Sequence, residues 1–152
     1  MDVNKVMKEK GIILPPPPQK GGLYHPCKIV GNMAYISGCG CLTPEMPAAA
    51  GKLGRDYTTA EGQVLARNCM LNILSVLQRE LGDLNRVKSA VKILAFVASD
   101  DEFFEQPQVA NGASGLLGEI FGMDALPARS AIGVNVLPGN LPVEIEAIFE
   151  VE

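Results

Sequence analysis

The chain has 152 residues, 47% of them hydrophobic and 20% charged, with 13 lysines and arginines against 17 aspartates and glutamates. This is the length of one compact domain with an ordinary apolar core, which excludes a disordered chain and leaves no room for a second domain of usual size. A net charge of −4 without any basic run argues against nucleic acid as the main partner, and no stretch approaches the roughly 18 uninterrupted apolar residues of a membrane span.

The polar start, Met1 to Lys10, lacks the apolar core of a signal peptide, so the expected compartment is the cytosol. Val3 to Lys10 reads as a short polar helix ended by Gly11. Pro15 to Pro18 favours a left-handed extended segment, a stiff lead-in rather than an SH3 ligand, since no arginine flanks it. Residues 1–20 are thus set apart from a domain spanning residues 21–152. Lys28–Val30 and Met33–Ser37 flank Gly31-Asn32 and read as a tight hairpin. Gly38 to Arg55 has Gly, Pro and Ala without periodicity and reads as a long surface loop of the kind that serves a site or an interface. Thr58-x-x-Glu61 is a capping box, and Leu65, Cys69, Ile73, Val76 and Leu77 then recur at helical steps as one buried stripe. Gly82 supplies the left-handed stop.

Val87–Val97 alternates as a half-buried strand, with Val87, Val91, Ile93, Ala95 and Val97 inward and Lys88 and Lys92 outward. A second helix starts near Pro107 and stops at Gly122. Its Gly112, Gly115 and Gly118 each cost about 1 kcal/mol relative to alanine. That face is therefore expected to press against another backbone, within the subunit or across an interface. Two strands close the chain, Arg129–Val136 and Val143–Val151. In the last one Val143, Ile145, Ala147, Phe149 and Val151 share a face, while Glu144, Glu146 and Glu150 share the other with Ile148. The order ββ-α-β-α-ββ predicts an α+β domain, an antiparallel or mixed sheet with two helices on one face and the other face open to a partner subunit.

Arg129 opens a strand of small and apolar residues, and reads either as a solvated strand end or as a bidentate clamp for a carboxylate. Glu144 reads either as part of a wet strand face or, in a cleft, as the group that orients or deprotonates a water. Tyr24, Ser37 and Asn111 are polar groups at element edges. Cys27, Cys39, Cys41 and Cys69 have no C-x-x-C spacing and only His25 for company, so they read as reduced, buried thiols rather than as a zinc site. No G-x-S-x-G, Walker, G-x-G-x-x-G or H-E-x-x-H motif occurs. With no tryptophan, 3 tyrosines and 5 phenylalanines, platforms for stacking bases are scarce.

Leu126-Pro-Ala-Arg-Ser-Ala-Ile-Gly-Val134, then Leu137-Pro138, then Val143-Glu-Ile-Glu-Ala147, resemble the signature end of the reactive-intermediate deaminase family (RidA/YjgF, also called L-PSP endoribonuclease-like). Gly31-Asn-Met-Ala-Tyr-Ile-Ser-Gly38 resembles its first hairpin and Gly82-Asp-Leu its helix end, so the resemblance runs from about Tyr24 to the C-terminus. The N-terminal helix, the proline run, the long loop and Asp56-Tyr-Thr-Thr-Ala-Glu-Gly-Gln63 mark a divergent branch. The resemblance implies a chorismate-mutase-like (bacillus type) subunit in a homotrimer, with sites in the clefts between subunits. It also implies hydrolysis of enamine or imine intermediates such as 2-aminoacrylate to a 2-oxo acid and ammonia, without metal or organic cofactor. Arg129 would hold the substrate carboxylate and Glu144 would position or activate the water. Tyr24, Ser37 and Asn111 would line the pocket, with Tyr24 closing it, and Cys39, which stands where the founding enzymes carry glutamine, would be a substrate-binding residue with them. The segment between Asn111 and Arg129 is one residue longer than theirs. An imine is already electrophilic, so orientation and one proton transfer suffice.

If the last two strands pair through their loop, Arg129 falls about six residues, or roughly 20 Å, from Glu144 along the ladder. One site would then need two subunits. A trimeric binding protein for small carboxylates and an endoribonuclease remain as other readings, the second disfavoured by the acidic charge and the single histidine.

Overall fold

The computed structural model describes residues 1–152. Helix α1 covers Val3–Glu9, strands β1 and β2 Cys27–Val30 and Met33–Gly40, and helix α2 Thr59–Leu81. Strand β3 (Val87–Ala98), helix α3 (Gln106–Phe121), and strands β4 (Ala128–Val134) and β5 (Val143–Val151) follow. The five strands form one mixed sheet in the order β1-β2-β5-β3-β4. Only β3 and β4 are parallel, because α3 carries the chain back between them as a crossover.

Local chemistry accounts for the two long helices. The Thr58 hydroxyl accepts the Glu61 N–H at the start of α2, and Gly82 ends it in the left-handed region at φ 78°. Pro107 lies in the first turn of α3, where its missing N–H costs nothing. The predicted stripe of α2 is buried throughout and packs with Leu116, Leu117 and Ile120 of α3 onto one face of the sheet. Ile93, Ala95 and Val97 of β3 and Val143, Ile145 and Phe149 of β5 form that face. Each of these side chains larger than alanine contributes about 2 kcal/mol by leaving water. The close approach expected of the small residues on α3 occurs at Gly112, where a methyl would collide with the backbone of Gln63 on α2. Gly115 faces open space.

Several expectations change. Val91 is exposed and Ala90 is buried, because irregularities at 87/89 and 90/92 shift the alternation of β3 by one residue. The last two strands do not pair with each other, since β3 lies between them, so the ladder separation predicted for Arg129 and Glu144 does not apply. Strand β4 stops at Val134 rather than Val136. The segment expected as a loop from Gly38 begins as strand, and its remainder is pinned by bridges of Thr43 to Met46 and of Leu53 to Tyr57 and Ser99.

The first residues lie against the domain. Val3, Met7 and Ile12 join the core, the Val3 N–H donates to Asn85 Oδ1 at 2.7 Å, and the Ser75 hydroxyl of α2 donates to the Pro15 carbonyl.

Candidate functional site

The sequence-selected residues gather into two groups. The first lies where β2 meets β5. The ladder is interrupted between Ile36 and Cys39, and within that bulge the Ser37 hydroxyl donates to the His25 carbonyl at 2.7 Å. Gly38 leaves room for a carboxyl group, since a methyl there would run into that of Glu144. Glu144 is half-buried, and burial pushes its carboxyl above the usual 4.5, with the negative charge of Glu146 adding to the shift. Tyr24 closes the other side: its hydroxyl accepts the Gly21 N–H at 3.0 Å and its carbonyl accepts from Lys20 Nζ at 3.2 Å. A pocket of about 160 Å³ lies among Lys20, Tyr24, Ser37, Gly38, Cys39 and Val76.

Cys39 is buried, and its thiol is pushed up to about 12, first by burial and then by the charge of Glu144. It therefore stays protonated and donates weakly to the Ser37 carbonyl at 3.6 Å, so it acts as a small hydrophobic wall rather than as a nucleophile.

The second group lies on the edge strand β4. Arg129 Nη1 donates to Asn111 Oδ1 at 2.7 Å and to Ser114 Oγ at 3.1 Å, both on α3. Residues three apart share a helix face, so α3 grips the guanidinium from one side. The other guanidinium nitrogens make no hydrogen bond within the chain, leaving one edge of the fork available to an anion. Asn111 thus orients the arginine and spends its carbonyl oxygen on it.

One chain does not bring the two groups together. Arg129 pairs with Ile93, which on its other side faces Ala147, so all three lie on the helix-covered face. Glu144 pairs with Phe96 in the alternate register, on the open face with Glu146. Arg129 and Glu144 therefore point to opposite sides of the sheet.

Three contributors escaped the sequence reading. Ser114 could have been found from its three-residue spacing to Asn111. Gly38 gave only the weak signal of a glycine inside a strand pattern. Lys20 lay in what read as a lead-in, and nothing local linked it to Ser37.

Residues 5–147 match the family described as "YjgF/chorismate_mutase-like, putative endoribonuclease". Over 112 residues the chain is 46% identical to Protein TCP17 of Trypanosoma cruzi; the match takes in 73% of this chain and 66% of that protein, a little under two thirds of its length. The protein Atu1372 from Agrobacterium tumefaciens, whose function is given as unknown, superposes with a TM-score of 0.88 at 38% identity, covering 99% of this chain and 94% of the other. A "putative endoribonuclease" from Shewanella oneidensis superposes at 0.94 with 28% identity, over 99% and 100% of the two chains. RidA from an Antarctic Psychrobacter superposes at 0.62 with 27% identity, over 90% and 94%. In shape this chain stands nearer to the first two structures than to that RidA.

Proposed function

The chain belongs to the YjgF/chorismate-mutase-like family, and from that premise we propose that it is a hydrolytic deaminase of reactive enamine and imine intermediates, 2-aminoacrylate-like 2-imino acids. In this reading it works as a homotrimer, with each site completed by two subunits. The observation that carries the reading is the complementarity of the two groups. One presents a positioned cation with a free hydrogen-bonding edge, the other a half-buried carboxylate beside a small pocket, and they lie on opposite sides of the sheet.

The chemistry follows from those side chains. The fork of Arg129 clamps the substrate carboxylate, which fixes the neighbouring C=N carbon over the pocket. An enamine first takes a proton at its terminal carbon to become the imine. Water held by Glu144 adds to the imine carbon while the carboxylate takes one of its protons. That proton passes to the nitrogen to give a carbinolamine. Its hydroxyl proton is then taken by Glu144 and handed to the amino group as the C–N bond breaks and the C=O forms, so that ammonia leaves a 2-oxo acid. Water is the only co-reactant. A carboxyl group above its ordinary range is suited to both halves of this transfer, because its carboxylate is a stronger base toward water and its protonated form lies nearer the working pH, ready to hand the proton on. Ser37 and Tyr24 line the pocket, and Cys39 contributes shape.

The reading's partners are the substrate and two further copies of the chain, with neither nucleic acid nor membrane among them. No helix is long and apolar enough to cross a membrane. Four free, buried cysteines support a reducing compartment, the cytosol.

The test is hydrolysis of freshly generated 2-aminoacrylate, wild type beside Arg129→Ala, following imine loss and ammonia. The wild type is expected to release ammonia and the variant to fall by at least about 100-fold. Binding of 2-oxo acids without turnover would replace the enzyme by a carboxylate-binding protein. RNA cleavage that survives Arg129→Ala would replace it by a nuclease.

A further inference from the structure

The pocket beside Tyr24 has a wall that the sheet and the two long helices do not provide. Pro18, Gln19 and Lys20 line it together with the Ser37–Gly40 end of β2, and Lys20 is the one charged residue in the lining. The segment that brings Lys20 there is fixed at both ends. Upstream, the Ser75 hydroxyl of α2 holds the Pro15 carbonyl. Downstream, Lys20 Nζ and the Gly21 N–H both engage Tyr24, at 3.2 Å and 3.0 Å. Between these ties run Pro15 to Pro18, whose locked φ angles make the segment a stiff spacer.

We propose that Lys20 determines specificity, and that the site takes 2-imino and 2-oxo acids whose side chain ends in a second carboxylate. The proposal rests on the deaminase reading for the position of the first carboxylate, on Arg129 of an adjacent subunit. An ammonium carries three donors, and Tyr24 uses one. The rest of the lining is neutral, and the nearby Glu144 is an anion. A carboxylate entering such a pocket loses hydration and meets repulsion unless a cation compensates both, and Lys20 is the group placed to do so. As a compact charge on a flexible stem it tolerates variation in the position of its partner, which suits a terminal group better than a reacting one. A pocket of about 160 Å³ limits that side chain to a short one.

The experiment uses the full chain as wild type, Lys20→Gln and Lys20→Arg, with imines generated in situ by an amino-acid oxidase from glutamate and from norvaline. Binding of 2-oxoglutarate and 2-oxopentanoate is measured alongside by calorimetry. Wild type is expected to favour the glutamate-derived imine about tenfold in kcat/KM, mainly through KM, the scale of one charge-assisted hydrogen bond. Lys20→Gln should erase that preference by lowering the dicarboxylate values about tenfold more than the monocarboxylate ones, and Lys20→Arg should keep it. Equal loss on both substrates, no loss on either, or a wild-type preference for the norvaline-derived imine overturns the proposal and leaves the deaminase standing. Lys20-dependent binding of 2-oxoglutarate without any turnover does the reverse. Neither binding nor turnover overturns both.

Discussion

Glu144 carries a charge in a place that resists it, and two predictions at the residue scale follow from that corner of the fold. Burial raises its pKa above 4.5 and Glu146 adds to the rise. The proposed deamination needs Glu144 ionised, so activity should fall as pH drops through this raised value, starting at higher pH than for an ordinary glutamate. A pH profile of kcat/KM should show the acid limb, and Glu144→Gln should lose it along with about 100-fold or more of the rate. A limb at or below 4.5 would mean that burial does not govern this group. Cys39 gives the second prediction. With its thiol pushed up to about 12, almost none is thiolate at neutral or mildly alkaline pH. Native protein should resist iodoacetamide at this position, as read by peptide mass spectrometry, and should become reactive on unfolding. Rapid alkylation in the native state would contradict the burial. The identities of both residues were legible in the sequence. Their protonation was not, because it depends on what the bulge of β2 and the neighbouring strand place around them.

At the scale of elements, legibility followed periodicity. The capping box, the apolar stripe and the glycine stop of α2 are local statements, and the helix obeys them. The alternation of β5 is equally local, and its bounds are as expected. Strand β3 defeated the same reasoning at Val91, because a bulge shifts the phase without any marker in composition. The place of β4 beside β3 rather than β5 is a property of chain crossover, which no window of sequence contains. The glycines of α3 fall between these cases. Their small size announced a close approach, and the structure assigns it to Gly112 against the Gln63 backbone and leaves Gly115 open. Gly112→Ala should therefore cost about 2 kcal/mol by overpacking, while Gly115→Ala should leave the chain's own packing untouched and contribute up to about 1 kcal/mol through helix propensity. Urea titrations of the two variants read the difference directly. Equal effects would mean that the contact between α2 and α3 at Gly112 is looser than described.

For the whole molecule, the open side of the sheet and the division of the site pose one question. That side carries Tyr35 and Ile132, exposed at 45% and 44%, with Phe96 and Ile148 half-buried among them, so it is apolar enough to be covered by another copy. Sequence reasoning reached the need for two subunits from a ladder distance that the topology does not contain. The structure places Arg129 and Glu144 on opposite faces, so the proposed site, if both serve it, would again take two subunits. This makes subunit complementation decisive. Arg129→Ala and Glu144→Gln chains should each be inactive alone. Refolded together at equal concentration into random trimers, they should recover about a quarter of wild-type activity, since every mixed trimer then contains one site whose arginine and glutamate are both intact. The recovered activity should elute at the mass of three chains. No recovery, or a protein that elutes as a single chain with undiminished activity, would mean that the two groups do not meet across an interface and that Arg129 and Glu144 do not serve one site.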